Sequence, residues 1–125
     1  MTPDTAAGAD FSTPRGAMPF GHHGCYLRID VTTGRVERVP LSWDVLRQYI
    51  GGSGLGARLL LDEGGATAEP LSPEAPLVFA FSPLVGSPLT TSAKFAVVSR
   101  SPLTGRFNDS LAGSAFALAG KRCGG

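Results

Sequence analysis

The chain has 125 residues, of which 42% are hydrophobic and 17% charged, and its formal net charge is +1. This length accommodates about one domain, and a charge so near zero gives no electrostatic basis for binding nucleic acid or an anionic membrane. The longest apolar run, residues 76–81, is too short to span a bilayer. Cys25 and Cys123 provide neither a disulfide framework nor a Cys-x-x-Cys metal pair, so we expect a cytoplasmic protein with reduced thiols.

The first 22 residues are rich in proline, glycine and alanine and have no hydrophobic period. We therefore predict a disordered tail over residues 1–22 and one ordered domain over residues 23–125. His22 and His23 lie where the two meet. Even with Cys25 they have neither the number nor the spacing of a closed zinc site, so both histidines are expected to be solvated.

A β-hairpin is predicted at the start of the ordered part. Residues 26–31 (YLRIDV) alternate between apolar and polar side chains, which is typical of a half-buried strand. Gly34 can adopt the positive φ of a short turn, and residues 36–39 (VERV) form the returning strand.

A cluster of glycines at residues 51–57 (GGSGLGA) has the spacing of a dinucleotide-binding loop. Such a loop must follow a strand, whereas residues 42–50 show helical spacing, with Ser42 as N-cap and Gly51 as the stop. No Gly-Lys-Ser/Thr follows, which excludes a Walker loop. We therefore predict a tight turn between two helices, the second beginning near Leu55, in which bulky side chains would not fit.

The middle of the chain continues with this second helix and two strands. The helix is expected to bury Leu59 and Leu60 and to expose Glu63. After a loop dense in turn-forming residues, residues 77–81 (LVFAF) form a buried strand and residues 94–100 (KFAVVSR) another.

The last segment combines helix-capping residues with small side chains. Asn108, Asp109 and Ser110 directly precede a run of mostly small residues, which predicts a helix beginning near Leu111. Small side chains allow a flat ligand to approach, and free N–H groups at a helix start suit an anionic group. The alternative is a capped helix packed closely against a sheet.

Little catalytic chemistry is evident in the residues themselves. Residues 108–111 (NDSL) are similar to the Gly-Asp-Ser-Leu block of a lipase-like hydrolase family, but the histidine base that this chemistry needs is missing outside the tail. Lys94 is either a solvated lysine at a strand end or a cationic contact to a phosphate. The chain is therefore interpreted as a scaffold or binding piece.

Five stretches, taken in order, resemble one known family. They are residues 26–41, 46–63, 70–88, 94–105 and 108–122. Together they resemble the N-terminal domain of the aldehyde ferredoxin oxidoreductases over nearly the whole ordered chain. The resemblance implies an α+β fold of mixed or antiparallel sheets with short packed helices, incomplete at the C-terminus.

The resemblance also implies a function. Members of that family oxidise aldehydes to carboxylic acids and pass the electrons to ferredoxin. They hold tungsten, sometimes molybdenum, on two pterin cofactors and carry a [4Fe-4S] cluster, and the N-terminal domain is a base for the pterins. The cluster cysteines and the substrate pocket belong to later domains, so the chain needs the remaining domains or a partner subunit and is expected to be inactive alone.

Site residues follow from the resemblance by position. The family usually has an arginine that contacts pterin phosphate where this chain has Lys94, and lysine keeps the charge without the bidentate fork. The family's Asn-Ser-Gly-Gly-like stretch falls on residues 111–114, where Gly113 matches. Leu111 replaces the asparagine, so that side-chain hydrogen bond is lost unless Asn108 or Ser110 supplies it. The predicted cofactor-binding residues are Lys94, Asn108, Ser110, Leu111, Ala112, Gly113 and Ser114.

An alternative interpretation belongs to a different class of protein. The chain could be a non-catalytic truncated remnant or a small interaction domain, in which an exposed sheet edge drives self-association.

Overall fold

The protein combines two small antiparallel sheets with three short helices, as the predicted α+β class requires. The structure, a computed structural model, describes residues 21–113 and 115–124. The elements are β1 (Cys25–Asp30), β2 (Arg35–Pro40), α1 (Trp43–Tyr49), α2 (Gly52–Asp62), β3 (Val78–Phe81), β4 (Lys94–Arg100), β5 (Phe107–Gly113) and α3 (Ala115–Arg122). The predicted tail lies outside the described residues except for Gly21 and His22. No helix in the described ranges is long and apolar enough to cross a membrane.

Strands β1 and β2 form the predicted hairpin. The Asp30 carboxylate accepts hydrogen bonds from the backbone N–H of Thr32 at 2.9 Å and of Thr33 at 3.3 Å. Gly34 then closes the turn with a φ of 73°. The prediction of a half-buried face holds only near the base of the hairpin, because the side chain of Ile29 is 57% exposed.

Helix α1 begins as its sequence predicts and ends one residue earlier than expected. The Ser42 hydroxyl accepts a hydrogen bond from the backbone N–H of Val45 at 3.3 Å, and Leu46 is buried. The helix stops at Ile50, which adopts a φ of 65° and donates its N–H to Leu46 O at 2.8 Å. The predicted stop at Gly51 is therefore wrong by one position.

The glycine cluster lies inside helix α2 rather than in a turn before it. The helix begins at Gly52, three residues earlier than predicted. A Cβ atom at Gly56 would lie 2.6 Å from Val98 Cγ2 and 3.3 Å from Ala80 Cβ, and one at Gly51 would lie 2.9 Å from a backbone oxygen of β3. The interpretation of these glycines as packing residues is confirmed, since bulkier side chains would hold α2 away from the sheet.

The second sheet has the strand order β3–β4–β5, with all neighbours antiparallel. Its two faces carry separate core clusters, because successive β4 side chains point to opposite faces. Leu60 of α2 packs with Ala96 and Val98 on one face. Phe95 and Ala117 of α3 pack on the other face.

The predicted helix from Leu111 is wrong, because residues 107–113 form strand β5. Ser110 pairs with Val97 in an antiparallel ladder, and the helix α3 begins only at Ala115. The three capping residues 108–110 therefore lie within a strand. Seven residues of β5 pair with β4, which contains the β-branched residues Val97 and Val98. This pairing outweighs the capping preferences of residues 108–110, so the sheet decides the local structure.

Candidate functional site

Lys94 and Gly113 are brought together at one end of the second sheet. Lys94 begins β4 and lies directly opposite Gly113, the last residue of β5. A Cβ atom at Gly113 would lie 2.9 Å from Lys94 Nζ and 2.9 Å from Ala93 O. The ammonium group therefore lies over the glycine backbone, and it forms no ion pair with any residue in the described part of the chain.

The other predicted site residues are distributed along β5. Leu111 lies opposite Ala96 and shares a face of the sheet with Lys94, because side chains two positions apart point the same way. Ala112, Ser110 and Asn108 alternate onto the opposite face. Asn108 lies five residues from Gly113, about 17 Å along the strand. Ser114 lies outside the described residues.

Strand β5 is open to solvent along its whole length. All seven of its residues are exposed, and the side chain of Leu111 is 73% exposed. Helix α2 covers β3 and β4, while β5 extends beyond it. The Lys94–Gly113 end of the sheet is therefore accessible to a large ligand on both faces of β5.

One polar contact near this strand was not predicted from the sequence. The Ser53 hydroxyl donates a hydrogen bond of 2.5 Å to Asp109 Oδ2, which ties the first turn of α2 to the middle of β5. Sequence reasoning assigned Asp109 to a helix cap. The contact spans 56 residues, and no local pattern indicates it.

A second polar cluster joins the hairpin to the end of α2 through Glu63, which was expected to be exposed. Arg28 donates from Nε to Glu63 Oε2 at 2.9 Å and from Nη2 to Oε1 at 2.6 Å, and the Tyr26 hydroxyl donates to Oε1 at 2.5 Å. Hydrogen bonding from Arg28 lowers the pKa of Glu63. Burial, reinforced by Glu63, raises the pKa of Tyr26 to about 12. Arg28 also donates to Glu37 Oε2 on β2 at 3.4 Å, so the cluster is a structural link between the hairpin and the end of α2.

The two histidines pack against the domain, so the prediction that both are solvated is wrong. His22 makes an edge contact with the Trp43 ring, at 6.1 Å between centroids, and His23 Nε2 lies 2.9 Å from Lys121 O. The Lys121 ammonium donates to the carbonyl of Gly21 and, at 3.3 Å, to two carbonyls of the loop after β3. The adjoining cavity of about 70 Å³ has room for a few water molecules only.

The described residues contain no group of three or more histidine, cysteine, aspartate or glutamate side chains that could hold a metal ion. The Lys94–Gly113 end of the sheet offers an exposed ammonium group, a glycine backbone and an open strand, which are features of a binding surface.

Comparison with known proteins decides the family. The model of the family described as aldehyde ferredoxin oxidoreductase, N-terminal domain, matches residues 26–125. The chain belongs to this family. The match to the aldehyde ferredoxin oxidoreductase N-terminal domain confirms the resemblance seen in the sequence.

Named relatives are about one third identical to this chain over the aligned residues. The tungsten-containing aldehyde ferredoxin oxidoreductase of Pyrococcus furiosus is 36% identical over 86 residues, which are 69% of this chain and 14% of that protein. The WOR-like subunit of an aliphatic sulfonate oxidoreductase from the same organism is 37% identical over 86 residues, covering 66% of this chain and 14% of the subunit. The chain thus spans about one seventh of the length of these relatives.

A solved structure confirms the family's fold for this chain. The BamBC active-site complex of benzoyl coenzyme A reductase with 1,5-dienoyl-CoA superposes with a TM-score of 0.77 at 34% identity. The match covers 86% of this chain and 16% of the chain in that complex. The arrangement of small antiparallel sheets and short helices is therefore that of an aldehyde ferredoxin oxidoreductase N-terminal domain.

Proposed function

We propose that this chain is the pterin-binding N-terminal domain of a tungsten- or molybdenum-containing oxidoreductase that oxidises aldehydes to carboxylic acids. The observation that carries the proposal is the Lys94 ammonium over the Gly113 backbone, at an open end of the sheet. The relatives of this chain include tungsten-containing aldehyde ferredoxin oxidoreductases, which supports the proposal.

The residues at this end of the sheet fit the phosphate-bearing end of a pterin. A lysine ammonium is a compact charge that binds phosphate, although it lacks the planar fork of an arginine. A Cβ atom at position 113 would lie 2.9 Å from Nζ, so the glycine leaves room for the ammonium group at this end of the sheet. Exposed β5 offers a flat surface beside it.

The proposed roles of the individual residues follow from their positions. Lys94 would bind a phosphate oxygen, and Leu111, Ala112 and Gly113 would present the backbone to the pterin. Ser110 and Asn108 would contact only a ligand that also reaches the other face of β5. Ser114 is retained from the family resemblance. When bound, the metal–pterin group supplies the two-electron chemistry of aldehyde oxidation.

The rest of the machinery is proposed to lie outside this segment of the enzyme. The matched part is 14% of the aldehyde ferredoxin oxidoreductase of Pyrococcus furiosus. We assign the [4Fe-4S] cluster, the aldehyde pocket and the contact with ferredoxin to the remaining domains or a partner subunit. The 125-residue chain alone is then inactive, and the complete enzyme works in the cytoplasm.

The experiment that tests this proposal replaces Lys94 in the complete enzyme. Loss of a charge-assisted hydrogen bond, worth about 1.5–3 kcal/mol, should make Lys94→Ala retain the cofactor about ten- to a hundredfold less tightly. Lys94→Arg should restore tight binding, and Arg35→Ala on the hairpin is the control. Retention of tungsten or molybdenum during dialysis is the measurement. Unchanged retention in Lys94→Ala would remove the proposed role of this residue.

A second candidate is an oxidoreductase acting on a substrate other than an aldehyde. It is favoured by the 34% identity to a chain of the benzoyl coenzyme A reductase complex and by the sulfonate oxidoreductase subunit. Turnover of the complete enzyme with aldehydes, using a viologen dye as electron acceptor, separates the two. Dye reduction by aldehydes supports the first candidate, and its absence in a metal-loaded enzyme supports the second.

The remnant or interaction-domain alternative differs in its assembly. A remnant would sediment alone, as a dimer or as larger aggregates, whereas an oxidoreductase domain sediments with the rest of its enzyme.

A further inference from the structure

Helix α2 and strand β5 are joined by a hydrogen bond between two side chains. The Ser53 hydroxyl donates to Asp109 Oδ2 at 2.5 Å. Ser53 is the second residue of α2, and the first turn of this helix contains no acidic residue of its own. A carboxylate near the positive end of a helix is favourable, and a hydrogen bond to an ionised acceptor is stronger than one between neutral groups. The contact is therefore suited to holding β5 at the start of α2.

Helix α2 is itself fixed on the sheet by close packing. A Cβ atom at Gly56 would lie 2.6 Å from Val98 Cγ2, and Leu60 packs with Ala96 and Val98 in a core cluster. The helix lies mainly on β3 and β4, whereas all seven residues of β5 are exposed. Ser53 therefore connects the exposed strand to a close-packed part of the domain.

The bonded carboxylate lies on the same face of the sheet as Lys94. Every second residue of β5 lies on this face, and the register with β4 is Asp109 opposite Val98, Leu111 opposite Ala96 and Gly113 opposite Lys94. Asp109 is two residues from Leu111, about 7 Å along the strand. A hydrogen bond at Asp109 therefore limits how far the backbone of residues 111–113 can move relative to Lys94.

We propose that Ser53 is a positioning residue, which acts through Asp109 to hold the backbone of residues 111–113 beside Lys94 in the arrangement that binds the cofactor. The proposal rests on the proposed function, in which these residues present their backbone to the pterin. Without the Ser53 hydroxyl, the ladder between β4 and β5 remains, but the link from β5 to α2 through Asp109 is lost.

Replacement of Ser53 in the complete enzyme tests this role. Ser53→Ala should raise the rate at which tungsten or molybdenum is lost during dialysis about threefold to tenfold, the range expected for one hydrogen bond. Ser53→Thr keeps the hydroxyl and should restore the wild-type rate. The control is Ser42→Ala, which also removes a serine hydroxyl that forms a hydrogen bond at a helix start, there with the N–H of Val45. Its rate of metal loss should equal that of wild type.

Hydrogen–deuterium exchange in the same variants measures the backbone of β5 directly and does not depend on the metal. In Ser53→Ala, the amides of residues 107–113 should exchange at least twofold faster than in wild type and in Ser42→Ala. The amides of β1 should exchange at the wild-type rate, because the lost contact is local. Faster exchange in β1 as well would show a general loss of stability and overturn the positioning role.

The remaining outcomes separate this proposal from the proposed function. Unchanged exchange of residues 107–113 in Ser53→Ala, or metal loss equal to that of Ser42→Ala, overturns the positioning role and leaves the proposed function standing. A complete enzyme purified without tungsten or molybdenum contradicts the proposed function. The exchange measurement then still decides whether Ser53 holds β5.

Discussion

At the scale of single residues, close packing explains the glycines of residues 51–57 better than a bound nucleotide does. The cluster at residues 51–57 has the spacing of a nucleotide-binding loop, yet Gly56 lies against Val98 and Ala80 under the sheet. The helix before it could be recognised from its apolar spacing and its Ser42 cap, which is why the nucleotide interpretation could be rejected from the sequence. The long-range partner of Gly56 could not be read, because no local pattern indicates it.

Replacement of Gly56 by alanine tests this packing. Alanine favours a helix by up to about 1 kcal/mol, but overpacking a core typically costs about 1–3 kcal/mol. We therefore expect Gly56→Ala to lower the free energy of unfolding by about 1–2 kcal/mol, as measured by urea denaturation. In the control Gly54→Ala, the nearest atom to the new Cβ is Tyr49 O at 3.1 Å, and the change should stay within about 0.5 kcal/mol. A stabilised Gly56→Ala variant would contradict the close contact.

The Glu63 cluster makes stability depend on pH. The pKa of Glu63 is lowered from 4.5 in the folded state, so its contribution is present above pH 4.5 and is lost as the pH falls through the folded pKa. The variant Glu63→Gln should have a free energy of unfolding lower by up to about 1 kcal/mol at pH 7. That free energy should also fall less steeply than in wild type as the pH is lowered. Urea denaturation between pH 3 and pH 7 measures both. Glu69→Gln, which removes an exposed carboxylate, is the control, and an equal decline in Glu63→Gln and wild type would count against the cluster.

At the scale of elements, the predictions succeeded where a pattern is local and failed where pairing decides. The hairpin, α1 and β4 follow from alternation, capping and helical spacing. Strand β5 was predicted as a helix because Asn108, Asp109 and Ser110 are good caps and the following residues are small. Its strand conformation depends on its register with β4, 13 residues away at the Val97–Ser110 pair. The Lys94–Gly113 contact depends on the same register and could not be predicted from spacing.

Helix α1 offers a test at this scale. Its seven residues bury one side chain, Leu46, so the Ser42 cap is a large part of its local stability. Ser42→Ala should lower the free energy of unfolding by about 1 kcal/mol. The control is Ser92→Ala, in the loop before β4, and it should have a smaller effect. Equal urea midpoints for wild type and Ser42→Ala would show that the cap is dispensable.

At the scale of the whole molecule, large apolar side chains remain exposed outside the two core clusters. Beyond β5, the rings of Phe79 and Phe116, 45% and 49% exposed, lie 5.7 Å apart between centroids on the side of α3. A segment that spans 14% of its relatives is expected to contact the rest of the enzyme over such surfaces. This part of the account could be anticipated only from the family resemblance, since exposure is a property of the fold.

The exposed strand β5 also predicts how the isolated chain associates in solution. Because β5 is exposed along its whole length, the 125-residue chain should self-associate as its concentration rises, and Leu111→Asp should reduce this association. Sedimentation velocity measures it, with Leu103→Asp in the turn before β5 as a control of similar exposure. A chain that remains monomeric at all concentrations would show that exposed β5 does not drive self-association.

The central claim is that this domain holds a metal–pterin cofactor in its complete enzyme. Elemental analysis of that enzyme, purified under anaerobic conditions through a tag on this chain, tests it most directly. The account predicts tungsten or molybdenum in a fixed ratio to the chain, together with iron. An enzyme purified in this way that contains neither tungsten nor molybdenum would contradict it.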